Sequence, residues 1–226
     1  MSSSSRRHGV LVVFEGAEGV GKTTQVRKLV EWLEHAGLAY QYFREPGGTS
    51  IGEAIRQLLL EPGGQLADAT EALLFLASRA QLVHDNIRPA LDRGDVVVLD
   101  RFFLSTYAYQ IVGRGLGETD IRYSNRLAVG DIVPDVTFLL NLPFETGLQR
   151  AGHRGPHDRM ELAGNVFHER VSAAFASFLL PEWQEHHPEC GPILPVDAAG
   201  TEDDVFRRIV NQLLHRFPER FASAAD

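Results

Sequence analysis

The chain has 226 residues, 44% of them hydrophobic, enough for one domain with a sizeable core. With 30 acidic against 22 basic residues its formal net charge is −8. That argues against general nucleic-acid or membrane-surface binding and means that any anionic substrate must be met by a local group of arginines. A single cysteine, Cys190, excludes an internal disulfide and fits a reducing, cytoplasmic setting.

Residues 1–8 are Ser-rich, lack the apolar stretch of a signal peptide and read as a disordered leader; residues 9–216 read as one domain and 217–226 as a tail. The apolar run Val10-Leu11-Val12-Val13-Phe14 predicts a buried strand. Gly16-Ala17-Glu18-Gly19-Val20-Gly21-Lys22-Thr23 follows it and fits G-x-x-x-x-G-K-[ST], the phosphate-binding P-loop. Val26, Leu29, Val30 and Leu33 then carry the spacing of an amphipathic helix. In that setting the glycines let backbone N–H groups turn inward around a phosphate chain, and the helix N-terminus adds positive potential. Lys22 reaches the β- and γ-phosphates and the Thr23 hydroxyl can ligate Mg²⁺. A nucleoside triphosphate site is the starting point.

A second strand over residues 39–43 ends in Arg44-Glu45-Pro46-Gly47-Gly48-Thr49, a tight turn at a strand end, where ligands of open α/β sheets bind. Arg44 faces either an anion or plain solvent. Residues 50–60 and about 68–91 read as helices, and Arg79 lies one turn on from Phe75. Phe75 by itself is a core residue; with Arg79 it is also a way to sandwich and hydrogen-bond a base. The third strand, Val96-Val97-Val98-Leu99, ends in Asp100-Arg101. A carboxylate there suits Mg²⁺, and the arginine beside it points to a second anion near the nucleotide. Residues 103–112, with Ser105, Tyr109 and Gln110, and residues 119–129 read as helices, and Val136-Thr137-Phe138-Leu139-Leu140 as the fourth strand. Arg150, Arg154 and Arg159, spaced by Gly and Pro, form a basic loop over about 150–160, read as a mobile lid that closes arginines over transferring phosphates. His153 and His157 are not aligned for metal binding, because Pro156 breaks the helix that would bring them together. A helix over 165–180, a proline-flanked edge strand over 192–197 and a last helix complete the chain. The sum is an α/β fold: a five-stranded parallel sheet covered by helices on both faces.

From about Val10 to Leu214 the chain resembles the bacterial thymidylate kinases, of the P-loop nucleoside-monophosphate kinase group. The resemblance rests on the segments 14–25, Arg44-Glu45-Pro46-Gly47-Gly48-Thr49, Leu74-Phe75-Leu76-Ala77-Ser78-Arg79, Asp100-Arg101, Leu104-Ser105-Thr106-Tyr107-Ala108-Tyr109-Gln110, the basic lid and Phe167-His168-Glu169-Arg170-Val171. It implies that Gly16, Ala17, Glu18, Gly19, Val20, Gly21, Lys22, Thr23 and Thr24 bind ATP together with Arg150, Arg154 and Asp197, the last in the adenine-binding loop. It implies Mg²⁺ at Thr23 and Asp100, and catalysis by Lys22, Arg101, Arg150 and Arg154. For thymidylate it implies Glu18 at the sugar, Arg44 and Arg101 at the 5′-phosphate, Phe75 stacked on the base, Arg79 on a ring carbonyl, Gln110 on the ring N–H, Tyr109 crowding the 2′ position, and Ser105 among the binding residues. A homodimer built on helix faces is also implied. Phe175 stands where the family usually has Tyr, and His153 where a further lid arginine is sometimes found.

The reaction so implied is transfer of the γ-phosphoryl group of ATP to dTMP, giving dTDP. The acceptor phosphate, with a second pKa near ~6, is largely ionised at pH 7, so no general base is needed. A kinase for another small acceptor such as uridylate or a nucleoside, and a regulatory ATPase, are the competing readings. A GTPase switch is disfavoured, because Asn141-Leu142-Pro143-Phe144 stands where Asn-Lys-x-Asp would follow the fourth strand.

Overall fold

The computed structural model describes residues 9–61, 63–151, 159–221 and 224. The leader and the lid residues 152–158, with His153, Arg154 and His157, lie outside them.

Strand β1 (Val10–Glu15) is buried along its whole length. It is followed by helix α1 (Lys22–His35), strand β2 (Tyr40–Arg44), and helices α2 (Ser50–Leu60), α3 (Asp68–Leu82) and α4 (Arg88–Arg93). Next come β3 (Val96–Asp100), the short helix α5 (Phe103–Thr106), α6 (Glu118–Val129) and β4 (Val136–Asn141). The chain continues through α7 (Phe144–Ala151), α8 (Asn165–Ser177), α9 (Pro181–His186), β5 (Ile193–Asp197) and α10 (Glu202–Arg216). The sheet order is β2-β3-β1-β4-β5 and every pairing is parallel. The proline-flanked β5 is an edge, as its sequence requires.

Side chains alternate across the sheet, so each face has its own core. Leu11, Val13, Val97, Leu99 and Leu139 pack against Leu82, Leu91, Tyr107 and Phe178. Val12, Phe14, Val98, Phe138 and Leu140 pack against Leu29, Leu33, Ile209 and Leu213. Helix α1 thus leaves β1 towards one face while α5 leaves β3 towards the other. The crevice between the C-terminal ends of β1 and β3 is the topological switch point, where an open α/β sheet binds its ligand.

Two helices depart from the expected outline. The single helix expected over 68–91 runs on to Arg93 through a widened π turn at Val83–Ile87, and α5 continues into a second π segment, Tyr107–Gly113. At the C-terminus, the presumed tail carries Phe221, which is fully buried with its ring 5.7 Å from that of Trp32 and 6.1 Å from that of Phe217. The domain therefore extends at least to Phe221.

Candidate active site

A cleft of about 270 Å³ opens at the switch point, and the residues named below reach it from five separate stretches of the chain. Glu18, Lys22 and Thr23 come from the P-loop, Arg44 from the end of β2, Asp100 and Arg101 from the end of β3, and Phe75, Tyr109 and Gln110 from the helices above.

The P-loop closes on α1 through Gly21, in the left-handed conformation at φ 93°, so Lys22 begins the helix and its side chain folds back over the loop. Lys22 Nζ donates to the carbonyl oxygens of Gly16 and Ala17, both at 2.8 Å. Burial and the nearby Arg101 cation lower its pKa to about 8, against the pull of Glu18, Asp100 and Glu15. Gly19, at φ 74°, meets the backbone of Gly147 in α7, where an added Cβ would lie 1.9 Å from the Gly147 carbonyl oxygen. That close approach joins the phosphate loop to α7.

Thr23 Oγ1 lies 3.3 Å from Asp100 Oδ2. Two hard oxygen donors beside a phosphate loop suit Mg²⁺, which takes one or two protein ligands and completes its shell with phosphate and water. No cluster of three His, Cys, Asp or Glu side chains capable of holding a metal occurs among the described residues.

Arg101 is the one described non-glycine residue with positive φ, at 75°. A left-handed arginine costs about 1–3 kcal/mol and persists only where its surroundings hold it. Its backbone N–H donates to Phe14 O at 2.9 Å, and its guanidinium reaches Glu18 at 2.5 Å and Ser105 Oγ at 3.0 Å. Burial favours the neutral form of Glu18, but Arg101, Lys22, Tyr109 and His168 outweigh it and lower its pKa to about 2. Tyr109 donates to the same carboxylate at 2.8 Å, and Phe175 packs edge-on against the Tyr109 ring.

Three of the expected residues have partners within the protein itself. Arg79, expected on a ring carbonyl, does not line the cleft. It is 2% exposed and its five N–H groups are spent inside the protein. Two go to Glu45 Oε2 at 2.8 and 2.6 Å, and one each to Thr106 Oγ1, Asn125 Oδ1 and the Phe102 carbonyl. Asp197, expected at the adenine, caps its own turn by accepting from the Ala199 N–H at 2.9 Å. A neighbouring cavity of about 330 Å³ is lined by the loop after β5, at Ala198, Gly200 and Thr201, with Gly19, Thr24 and Arg150. Arg159, read as a lid arginine, is mostly buried with its guanidinium on Glu71 at 2.7 Å. Arg44 is half exposed and lies 3.8 Å from Glu53.

Two buried carboxylates were not foreseen. Glu15 accepts from the backbone N–H of Phe102 at 2.7 Å, and from the N–H and hydroxyl of Ser105 at 3.0 and 2.6 Å. It thereby fixes the turn that presents Arg101. Glu71, one turn before Phe75, accepts from Gln110, Arg114 and Arg159. A carboxylate is the last residue type one expects at a fully buried position, so only its partners reveal its place.

A phosphate loop, an Asp-Arg strand end and a base-sized cleft on a five-stranded parallel sheet define a P-loop kinase of the nucleoside-monophosphate group. Known proteins narrow the class further. The family model for thymidylate kinase matches residues 14–184. A thymidylate kinase of Deinococcus radiodurans is 42% identical over 197 residues, covering 87% of this chain and 92% of that one. One of Trichodesmium erythraeum is 39% identical over 227 residues, 93% and 97% of the two chains. One of Thermomicrobium roseum is 49% identical over 163 residues, 72% and 77% of the two. The chain belongs to the thymidylate kinase family.

Proposed function

We propose that this one cleft carries out the family's reaction, ATP + dTMP → ADP + dTDP, with the roles of its residues as follows. The observation that carries the reading is the meeting in one cavity of a phosphate loop, three arginines (Arg44, Arg56 and Arg101) and a stacking, hydrogen-bonding wall for a base. Phe75 stacks on thymine, Gln110 bonds the ring N–H, and Tyr109 crowds the 2′ position and so favours deoxyribose. Glu18 meets the sugar, and Arg44 and Arg101, beside Ser105, hold the 5′-phosphate. The P-loop amides, Lys22 and Thr24 hold the triphosphate, while the loop after β5 cradles the adenine.

Because the acceptor oxygen is already ionised, catalysis consists of alignment and charge neutralisation. Lys22 leaves its two backbone carbonyls for the β- and γ-phosphates. Arg101, held by Glu18 and by its backbone bond to β1, bridges the acceptor and the transferring group. Arg150, near the end of α7, and Arg154 complete the charge neutralisation. Thr23 and Asp100 would hold Mg²⁺, which would supply further charge neutralisation at the phosphates.

The acidic surface and single buried cysteine favour the cytoplasm, and no described helix is long and apolar enough to cross a membrane. Leu73 on α3 and Tyr123 and Leu127 on α6 are 61%, 70% and 88% exposed on two helices that pack together, a face suited to a homodimer.

The test is ADP release with ATP–Mg²⁺ and a panel of acceptors: dTMP, dUMP, UMP, dCMP, AMP, GMP and thymidine. Turnover led by dTMP is expected. Turnover led by another monophosphate would mean that the roles of Phe75, Tyr109 and Gln110 are wrong. Thymidine as the best acceptor would remove Arg44 and Arg101 from the phosphate.

A further inference from the structure

We propose that Glu71, which does not line the cleft, sets the base specificity of the enzyme by fixing which end of the Gln110 amide faces the substrate. The proposal rests on the reading of the cleft as a pyrimidine-monophosphate site and adds a residue to it.

Gln110 is 2% exposed and lines the cleft, with Nε2 3.0 Å from Glu71 Oε1. An amide can turn over, exchanging its donor and acceptor ends at almost no steric cost, and the two ends recognise opposite partners. A carboxylate can only accept, so the end of Gln110 that meets Glu71 must be the NH₂ group. The carbonyl oxygen is then the end left for the base. An acceptor in that position suits a pyrimidine-2,4-dione, which carries a hydrogen on N3. It opposes a 4-aminopyrimidine, whose N3 is a bare lone pair.

Glu71 remains an anion because of its other neighbours. Its Oε1 also accepts from Arg114 Nε at 3.2 Å, and its Oε2 takes Arg114 Nη2 at 3.0 Å and Arg159 Nη1 at 2.7 Å. Among the described residues, Asp68 is the further titratable group at this cluster, 3.6 Å from Arg114. Burial raises the pKa of Glu71, but the bonds from Arg114, Gln110 and Arg159 outweigh it, and the net shift is downwards. The carboxylate is therefore ionised throughout the neutral range and holds one orientation of Gln110. It is a positioning residue: it touches no substrate and acts through Gln110.

The arrangement makes a sharp prediction for Glu71→Gln. The new amide must give its oxygen to the two cations at the Oε2 position, which leaves its NH₂ facing Gln110. Gln110 then turns over and presents a donor to the cleft, where a cytosine N3 can accept it. Comparing kcat/KM for dTMP and dCMP, the ratio should narrow by at least about tenfold, the scale of one unmatched buried polar contact. Arg114→Gln removes a different partner of Glu71 and keeps the Glu71–Gln110 bond. It should lower the melting temperature and leave the ratio within about twofold of wild type. If Glu71→Gln does not fold, Glu71→Asp serves in its place: it keeps the charge for the arginines, withdraws it from Gln110, and should also narrow the ratio. A folded, active Glu71 variant with an unchanged ratio overturns the proposal, as does an equal narrowing in Arg114→Gln. Failure of the wild-type protein to prefer dTMP over dCMP would instead overturn the reading of the pocket on which the proposal stands.

Discussion

Replacing Arg79 with methionine tests whether this side chain belongs to the substrate or to the frame. The change keeps much of the side-chain volume and removes the charge. In the structure Arg79 and Glu45 face each other at 2.6 Å, with side chains 2% and 4% exposed, and the guanidinium lies 5.0 Å from the centre of the Phe102 ring. Burial pushes the Glu45 carboxyl up against the pull of Arg79. Without the arginine, Glu45 must stay buried as an unpaired anion or take up a proton, and Thr106, Asn125 and the Phe102 carbonyl lose a donor. Breaking a buried ion pair from one side costs about 3–5 kcal/mol. For a domain of this size, that cost corresponds to a fall in melting temperature of roughly 6–20 °C. Urea unfolding of Arg79→Met against wild type reads the loss directly. The double variant Arg79→Met/Glu45→Gln should recover part of it, because the orphaned charge is gone. A stability within about 0.5 kcal/mol of wild type, together with a raised KM for dTMP, would refute the reasoning and return Arg79 to the base.

Three further outcomes follow from the geometry. Lys22 is a base with a lowered pKa, so between pH 8 and 10.5 the unfolded chain holds its proton while the folded chain releases it, and apo stability should rise across that window. ATP restores the charge on Lys22, so binding at pH 8 should take up about half a proton. Calorimetry in two buffers of different ionisation enthalpy measures this uptake; Lys22→Arg should bind without it, and equal enthalpies for wild type would contradict the assignment. Gly19→Ala drives a Cβ into the Gly147 carbonyl from a left-handed backbone, so ATP affinity should fall by at least about tenfold, read by fluorescence titration. Arg154→Ala should lower kcat by roughly 10²-fold or more if the lid clamps the transferring phosphate, and a value within twofold of wild type would remove it from the reaction.

Much of this fold was legible because its signals are local. The apolar runs of β1, β3 and β4, the P-loop and the Arg-Glu-Pro-Gly-Gly-Thr turn each announce an element within a few residues, and α2 falls on the residues expected of it. The π segments at Val83–Ile87 and Tyr107–Gly113 were not legible, because a single widened turn leaves no mark on a 3.6-residue period. The second of them matters to the site, since it carries both Tyr109 and Gln110 inward. The cleft itself could be assembled from strand-end residues such as Arg44, Asp100 and Arg101. What lies behind it could not. Glu15, Glu71 and the Arg79–Glu45 pair owe their places to partners between 34 and 90 positions away in sequence. Phe221 likewise reads as part of a tail until Trp32 is found beneath it.

Phosphorus-31 NMR of one reaction tests the central claim most directly. With catalytic protein, ATP–Mg²⁺ and dTMP, the two doublets of dTDP should grow in step with the loss of the ATP γ-phosphorus signal and of the dTMP singlet. No dTMP should be formed when thymidine replaces dTMP. Loss of the γ-signal to free phosphate, with the dTMP singlet unchanged, would show hydrolysis without transfer and contradict the account.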